Sequence, residues 1–229
     1  SGTIINWKAV KGNYFVEAKI FEHNSSKLAK TLLDLPVNLT GERYQKFNLT
    51  AKWENPILWN PDNPYLYDLK VTIKSLNGKV IDESWNYPFG FREFEMGENV
   101  FYLNGNKMHL FYNSSIHGEL FKRYTDFMCS RKENIYNTVK TSKDMGFNTL
   151  GAEINFNADL VEWYKGITPV WQEEMIKVCD ELGMFVVLWI PEFDELTDKD
   201  DYKQAIEKHI NFWGNHPSII LYLNDINKT

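Results

Sequence analysis

The sequence predicts two domains in series, a β-sandwich over residues 1–95 and an α/β domain over residues 96–229. Three observations predict this division. Apolar and polar residues alternate over the first ninety positions, strand and helix patterns alternate from about residue 100, and Asn-Gly pairs mark tight turns in both parts. A chain of 229 residues is long enough for one large domain or two small ones.

The first domain shows the period-two pattern of strands with one solvent-facing side. Apolar and charged residues alternate over 16–20, and apolar residues over 65–73 alternate with Leu66, Asp68, Lys70 and Thr72. Asn77-Gly78 supplies the positive φ angles of a hairpin turn. Several short strands at this spacing indicate an immunoglobulin-like sandwich. The proline-rich stretch 55–64 is expected to close its far end.

The second domain alternates apolar strands with amphipathic helices. After a hairpin at Asn104-Gly105, strands are predicted at 108–112, 147–154, 184–190 and 218–223. Helices are predicted between them, the first opened by a capping box at 130–133 and carrying an apolar face of Ile135, Val139, Ser142 and Met145.

Such alternation indicates a parallel sheet covered on both faces. No glycine-rich loop follows a strand, which favours a TIM-type (β/α) barrel, with about four strands present, over a nucleotide-binding sheet.

Composition excludes several classes of function. The 25 basic and 31 acidic residues give a net charge of −6, and no basic block long enough to follow a phosphate backbone occurs, so nucleic acid is not expected as a partner. No apolar run approaches the ~20 residues of a membrane span. The two cysteines, Cys129 and Cys179, lack metal-ligand spacing, and we expect no metal site and no cofactor.

Asparagine-linked glycosylation sequons occur more often than chance predicts. The chain has 23 Asn and five sequons, whereas its content of Ser and Thr gives about two by chance. The excess favours a secreted or lumenal glycoprotein, although an Asn-rich genome would produce the same excess. The candidate glycosylation sites are Asn24, Asn38, Asn48, Asn113 and Asn227.

Five sequence runs carry a more specific signal. They are LWNPDNPYLY at 58–67, FGFREF at 89–94, FYLNG at 101–105, CDELG at 179–183 and NHPSII at 215–220. In this order they resemble glycoside hydrolase family 2, which includes β-galactosidases, β-glucuronidases and β-mannosidases. The resemblance implies an immunoglobulin-like domain followed by a (β/α)₈ barrel, of which this chain would contain the first half.

The resemblance also implies a retaining mechanism with two carboxylates, one acting as acid/base and one as nucleophile. Counted without a gap from His216-Pro217, the acid/base position falls on Asn227, whose amide cannot donate the proton. Gly151 stands where the family usually has a pocket Arg, and the nucleophile's strand lies beyond the chain.

Three interpretations stay open. In the first, the chain is a degenerate family member that kept the fold and lost catalytic activity. In the second, it is a fragment of an active enzyme in which Asp225 is the acid. In the third, it is an unrelated protein that also contains a parallel sheet. Asp225 lies two positions before Asn227, on the same side of an extended strand. The first interpretation is favoured.

Candidate substrate-binding residues lie at or after the predicted carboxyl ends of strands, where barrel enzymes place their chemistry. They are Glu153, Trp189, Glu192 and His117. A solvated loop carboxylate is the favoured explanation of Glu153 and a structural His that of His117, whereas Glu192 fits both explanations equally well.

These observations predict a glycosidase-like module with a structural or carbohydrate-binding role. The alternative is a fragment of an active retaining β-glycosidase of β-mannosidase or β-galactosidase type, which hydrolyses O-glycosyl bonds. Half a barrel leaves two open sheet edges, so a further segment of the parent protein, a partner protein or a second copy is expected to pair with them. Carbohydrate is the other partner expected.

Overall fold

A computed structural model describes residues 2–32, 34–113, 131–153, 168–190 and 199–224, which form two compact units. The first unit comprises Ser1–Ile57 and Leu66–Phe89, and the second comprises Leu58–Tyr65 and Gly90–Thr229. The sequence predicts a single boundary after residue 95, whereas the structure also assigns Leu58–Tyr65 to the second unit. The expectation that all of the proline-rich stretch closes the sandwich is therefore wrong.

The first unit is a β-sandwich of eight described strands. They are β1 (Gly2–Ile5), β2 (Lys11–Glu22), β3 (Leu28–Thr31), β4 (Leu35–Thr40), β5 (Tyr44–Phe47), β6 (Tyr67–Ser75), β7 (Val80–Glu83) and β8 (Tyr87–Phe89). Strands β1 and β5 pair antiparallel, and the other six form a sheet around β2 and β6. Ile4 from the small sheet packs with Val16, Val37 and Leu39 from the large one, so the two sheets share a core. The predicted sandwich is confirmed.

The predicted solvent-facing side of β2 and β6 is wrong at three polar residues. Glu17, Asp68 and Thr72 are all buried, with at most 8 % of their surface exposed. Glu17 accepts from Lys74 and lies 2.8 Å from the ammonium group of Lys19. The buried carboxylates are paired with side chains that are distant in the sequence, and strand periodicity does not reveal such pairs.

The Glu17 cluster gives the first unit a predictable acid response. Hydrogen bonds from Lys19 and Lys74 hold the pKa of Glu17 below its ordinary value. A depressed carboxyl pKa adds stability above the unfolded-state pKa of about 4.3, and this stability disappears as the pH falls through the folded-state pKa.

We therefore expect Glu17→Gln to lower the urea midpoint of the sandwich at pH 7 and to change it little near pH 3. The matched control is Glu83→Gln, because Glu83 pairs with Lys70 at 2.9 Å but is 54 % exposed, and it should change little at either pH. A Glu17→Gln effect of equal size at both pH values would contradict the assignment.

The second unit contains seven described strands and three described helices. The strands are β9 (Phe94–Met96), β10 (Phe101–Leu103), β11 (Asn106–Met108), β12 (Tyr112–Asn113), β13 (Thr149–Glu153), β14 (Phe185–Ile190) and β15 (Ile219–Asn224). The helices are α1 (Arg131–Asp144), α2 (Thr168–Leu182) and α3 (Lys199–Trp213). Strands β9 to β11 form an antiparallel sheet, and β12 to β15 form a parallel sheet in chain order.

Both hairpins are confirmed, and one strand is corrected. In the pair Asn77-Gly78 only Gly78 has positive φ, 81°, so the predicted positive φ at Asn77 is wrong. Asn104 and Gly105 both have positive φ, 51° and 77°, between β10 and β11. The predicted strand 108–112 is wrong, because Met108 ends the antiparallel hairpin and the parallel sheet begins only at Tyr112. Met145, predicted on the apolar face of α1, is 69 % exposed because the helix has already ended at Asp144.

One face of the parallel sheet packs against helices. Leu150, Val186, Leu188 and Ile219 are at most 1 % exposed and share one core with residues of α1, α2 and α3, among them Ile135, Val139, Met175, Cys179 and Trp213. Complete burial raises the pKa of the Cys179 thiol well above its ordinary value, so the thiol stays protonated. Within the described ranges, no helix has the length and apolar character that crossing a bilayer requires.

Candidate functional site

The carboxyl ends of the parallel strands define the candidate site. In register, Glu153 of β13 pairs with Trp189 of β14, and Ile190 of β14 pairs with Asn224 of β15. Three consecutive strands therefore end at the same edge of the sheet. In parallel α/β folds this edge is the one that carries ligands, since the loops after the strands converge there.

The sheet brings two of the four predicted substrate-binding residues together. Glu153 is the last residue of β13, and Trp189 stands beside it as the penultimate residue of β14. The other two, Glu192 and His117, lie outside the described residues, as do Asp225 and Asn227. Since β15 ends at Asn224, both acid/base candidates follow that strand directly.

A close packing between two strands was not predicted. A Cβ placed on Gly151 of β13 would lie 3.0 Å from the ring carbon Cζ of Tyr112 and closer still to its hydroxyl oxygen. Real Cβ atoms do not make such contacts, so the phenol of Tyr112 fills the space that a side chain at position 151 would need. Leu150 packs against the helices, and Gly151 and Tyr112 therefore meet on the opposite face of the sheet.

We expect Gly151→Ala to displace the Tyr112 ring, which is 42 % exposed and can move, and to destabilise the second unit by about 1 kcal/mol, the low end of overpacking costs. In a Tyr112→Ala background, the same substitution should have almost no effect, because the colliding ring is gone. A double-mutant cycle of urea unfolding measures this coupling. Additive effects of the two substitutions would show that Tyr112 does not occupy this space.

The first strand of the parallel sheet is held by asparagine side chains. Asn148 donates to the carbonyl of His109 at 2.8 Å, and its Oδ1 accepts from the backbone N–H of Phe111 at 2.7 Å. Asn113 donates from Nδ2 to Ser142 Oγ at 3.0 Å. These bonds tie the segment 109–113 to the start of β13 and to α1.

The glycosylation candidates differ in accessibility. Asn24, Asn38 and Asn48 are exposed, whereas Asn113 is half-buried with its amide nitrogen bonded to Ser142, and Asn227 lies outside the described residues. A glycan on Asn113 would require this hydrogen bond to break. Glycosylation of the three exposed asparagines stays a prediction.

The opposite end of the parallel sheet is a polar junction around Trp59. Trp59 is fully buried, donates from its indole nitrogen to the carbonyl of Asp180 at 2.8 Å, and packs edge-on against Phe185 at the start of β14. Its own carbonyl accepts from Asn104 Nδ2 at 3.0 Å. The loop 58–65 is thus fastened to the amino-terminal end of the sheet.

Asp180, near the end of α2, organises the approach to β15. Its Oδ1 accepts from the backbone N–H of Ser218 at 3.0 Å, and its Oδ2 lies 2.6 Å from Nδ1 of His216. Arg92 donates to the carbonyls of Pro217, at 2.8 Å, and Ile219. Burial lowers the pKa of the Arg92 guanidinium.

Two glycines permit the close packing of this junction. A Cβ on Gly90 would lie 2.8 Å from Cγ of Pro217 and 3.1 Å from Cβ of Trp59. Gly183 has φ +71°, and a Cβ there would lie 2.8 Å from Cα of Pro61. Lys143 donates to the carbonyls of Pro61, at 2.6 Å, and Leu182, at 2.5 Å, beside them.

All five sequence runs that carry the resemblance contribute to this junction. They supply Trp59, Gly90 and Arg92, Asn104, Asp180 and Gly183, and His216 to Ser218. The amino-terminal end of a parallel sheet supports stability, and the carboxyl end supports chemistry. The five sequence runs therefore stabilise the fold, and their presence does not indicate whether the chain is catalytically active.

Comparison with known proteins identifies the class. The sequence profile of the glycosyl hydrolases family 2 matches residues 3–92. The chain is 29 % identical over 221 residues to a β-galactosidase of Thermoanaerobacterium thermosulfurigenes, covering 95 % of this chain and 28 % of that protein. It is 30 % identical over 219 residues to a putative β-glucuronidase of Formosa agariphila, covering 87 % of this chain and 23 % of that protein.

Solved structures show the same fold. The β-glucuronidase 2 of Bacteroides uniformis superposes with a TM-score of 0.70 at 22 % identity, over 97 % of this chain and 25 % of that one. A family 2 member from Bacteroides cellulosilyticus gives 0.67 over 99 % of this chain and 29 % of that one. The chain belongs to glycosyl hydrolase family 2. It spans about a quarter of the length of the relatives it matches.

Proposed function

We propose that this chain is a catalytically degenerate glycosidase-like module that binds carbohydrate at the carboxyl edge of β12–β15, with those strands forming the first part of a (β/α) barrel. The observation that carries the proposal is the sequence after β15. That strand ends at Asn224, and Asn227 follows at the position where similar enzymes carry the acid/base glutamate. An amide cannot protonate a leaving oxygen, which retaining hydrolysis requires.

The space around Gly151 supports the same proposal. In family members an arginine usually lines the pocket at this position, and here the phenol of Tyr112 takes the space of any side chain. The pocket would therefore offer a neutral hydroxyl where a guanidinium is expected. Glu153 and Trp189, paired in register at the edge, supply the residue types that accept sugar hydroxyls and stack on sugar rings.

A second candidate function is favoured by Asp225 and by the β-galactosidase relatives. Here the chain is part of an active retaining β-glycosidase, and Asp225 is the proton donor. Its shorter side chain would need a backbone shifted toward the sugar relative to the glutamate that it replaces.

Sugar binding and hydrolysis together separate the two candidates. The proposed function predicts that the full-length parent protein binds galactose, mannose or glucuronate, and that Trp189→Ala weakens binding about tenfold, the loss of one aromatic stacking contact. It also predicts no hydrolysis of the matching methyl β-glycosides, whose leaving oxygen must be protonated. Trp85→Ala is the control for binding, since Trp85 is 86 % exposed in the first unit. Absence of sugar binding would contradict the proposed function.

The open edges of the parallel sheet support a partner for the second unit. In the described part of the chain, β12 and β15 each pair with one strand only. Apolar residues are exposed beside them: Phe111 at 58 %, Tyr112 at 42 % and Leu223 at 38 %. Exposed edges with apolar neighbours pair readily with further strands.

We expect light scattering to show that the isolated 27.0 kDa chain self-associates, and that a longer protein containing the rest of a barrel does not. A monomeric chain with a single cooperative melting transition would contradict this expectation.

A further inference from the structure

An exposed aromatic surface lies on the first unit, at the end of β1. The indole of Trp7 is 72 % exposed and the phenol of Tyr44 is 59 % exposed. The guanidinium carbon of Arg43 lies 4.2 Å from the centroid of the Trp7 ring and 5.5 Å from that of Tyr44. We call these three side chains the Trp7 platform. A highly exposed Trp is unusual, since burial of its large apolar ring would stabilise the folded protein.

The loop that carries Trp7 is braced on both sides. The buried side chain of Asn6 donates to the carbonyl of Val10 at 2.8 Å and accepts from the backbone N–H of Val10 at 2.9 Å. The backbone N–H of Asn6 donates to the carbonyl of Arg43 at 2.8 Å. The backbone that carries Trp7 and Arg43 is therefore fixed, which lowers the entropic cost of ordering this segment around a ligand.

The loop also stores backbone strain. Ala9 adopts a left-handed conformation with φ 51°, which costs a non-glycine residue about 1–2 kcal/mol. Strain of this kind persists only where the surrounding structure enforces it, and it concentrates at binding sites.

Basic residues outnumber acidic ones in the two segments that form the platform, residues 5–11 and 41–44, in a protein of net charge −6. Lys8 follows Trp7 in the exposed loop, and the aliphatic chain of Lys11 lies against the turn at Gly41 that leads to Arg43. The acidic residue next to the platform in the chain is Glu42. Three basic side chains against one acidic side chain favour an anionic ligand.

We propose that the Trp7 platform binds an acidic saccharide, with the sugar's carboxylate on Arg43 and its ring on the aromatic faces. The planar guanidinium has five N–H donors and binds a carboxylate in bidentate fashion. The partly positive C–H face of a pyranose packs against the electron-rich face of an indole or phenol. The choice of a saccharide rests on the proposed carbohydrate function.

A protein partner fits these observations less well. Trp, Tyr and Arg are also common at the centres of protein interfaces, but a stable interface takes about 20–30 residues a side. The Trp7 platform has three side chains and two flanking apolar residues, Ile5 and Val10, which are 50 % and 40 % exposed. That is the footprint of a few sugar rings.

The test is a titration of the full chain with tetragalacturonate, followed by Trp fluorescence and calorimetry. The neutral probe is the methyl ester of the same tetrasaccharide, which differs only in its carboxylates. We expect the free acid to bind at least tenfold more tightly than the ester. Trp7→Ala and Arg43→Gln should each weaken binding of the free acid at least tenfold.

Two further variants make the test specific. Arg43→Lys keeps the charge without the bidentate fork and should also weaken binding, whereas Trp85→Ala removes an equally exposed Trp and should leave it unchanged. Circular dichroism verifies that each variant is folded. No binding, equal binding of acid and ester, or an equal effect of Trp85→Ala would overturn the proposal.

Two further measurements distinguish saccharide binding at the Trp7 platform from a protein interface and from sugar binding at the carboxyl edge of the parallel sheet. Self-association of the chain that Trp7→Ala abolishes, without saccharide binding, would assign the platform to a protein interface and overturn the proposal. Trp189→Ala should leave tetragalacturonate binding intact, and loss of binding in that variant would overturn it too. Turnover of methyl β-glycosides would refute the proposed loss of chemistry without affecting the platform.

Discussion

Trp59→Ala is expected to destabilise the second unit by about 3–5 kcal/mol. Trp59 has no exposed surface, and its truncation leaves a cavity against Phe185 and removes the donor for the carbonyl of Asp180. A loss of this size should lower the melting temperature of the unit by about 10 °C. Differential scanning calorimetry of the variant measures it.

The matched control is Trp85→Ala, since Trp85 is 86 % exposed and truncation leaves no cavity. Its melting temperature should stay within about 2–4 °C of the wild type, because a surface substitution changes stability by at most about 0.5 kcal/mol. Equal effects of the two substitutions would mean that the loop 58–65 does not stabilise the second unit.

Gly183→Ala is expected to destabilise the second unit by about 3 kcal/mol or more, from two causes that add. The residue follows α2 with φ +71°, where a side chain strains the backbone by about 1–2 kcal/mol. In addition, the new Cβ would meet the backbone of Pro61, with its Cα at 2.8 Å, and rigid backbone cannot move aside as a side chain does.

Gly146→Ala separates the two contributions. Gly146 follows α1 in the same way, with φ +91°, but a Cβ added there would meet nothing within 4 Å. Gly146→Ala should therefore show only the backbone strain, and the difference between the two variants in urea unfolding reports the contact with Pro61. Equal losses would show that Pro61 does not pack against Gly183.

Features set by neighbouring residues were predictable from the sequence. The Asn-Gly pairs at 77–78 and 104–105 mark turns, and both hairpins form, with positive φ at Asn104, Gly105 and Gly78 but not at Asn77. Helix α2 begins at Thr168-Pro169, and a Pro in the first helical turn is a start signal that can be read from the sequence. The burial of Met175 and Cys179 follows from their spacing on that helix.

Features set by distant residues were not predictable. Glu17 is buried because Lys74, 57 positions away, pairs with it. The membership of Leu58–Tyr65 in the second unit depends on Trp59 bonding to Asp180, 121 positions away. The strand prediction at 108–112 failed because a short apolar run does not reveal which sheet it joins.

Only the part of the candidate site that depends on the order of strands and helices could be predicted from the sequence. Alternating strands and helices indicate which edge of a parallel sheet carries ligands, so Glu153 and Trp189 were identifiable as candidates from the sequence. The packing of Tyr112 over Gly151 depends on the register of β12 against β13, which the sequence does not specify. The only available signal was a glycine at the centre of an apolar strand, which often marks a close approach.

Hydrolysis of alkyl β-glycosides by the full-length parent protein tests the central claim most directly, because an alkyl leaving group departs only when an acid protonates its oxygen. Because the proposed function places Asn227 at the acid/base position, we predict that methyl β-galactoside, β-mannoside and β-glucuronide release no more methanol than the enzyme-free solution, although the corresponding sugars bind. Measurable turnover that Asp225→Asn abolishes would contradict the claim and assign the proton donor to Asp225.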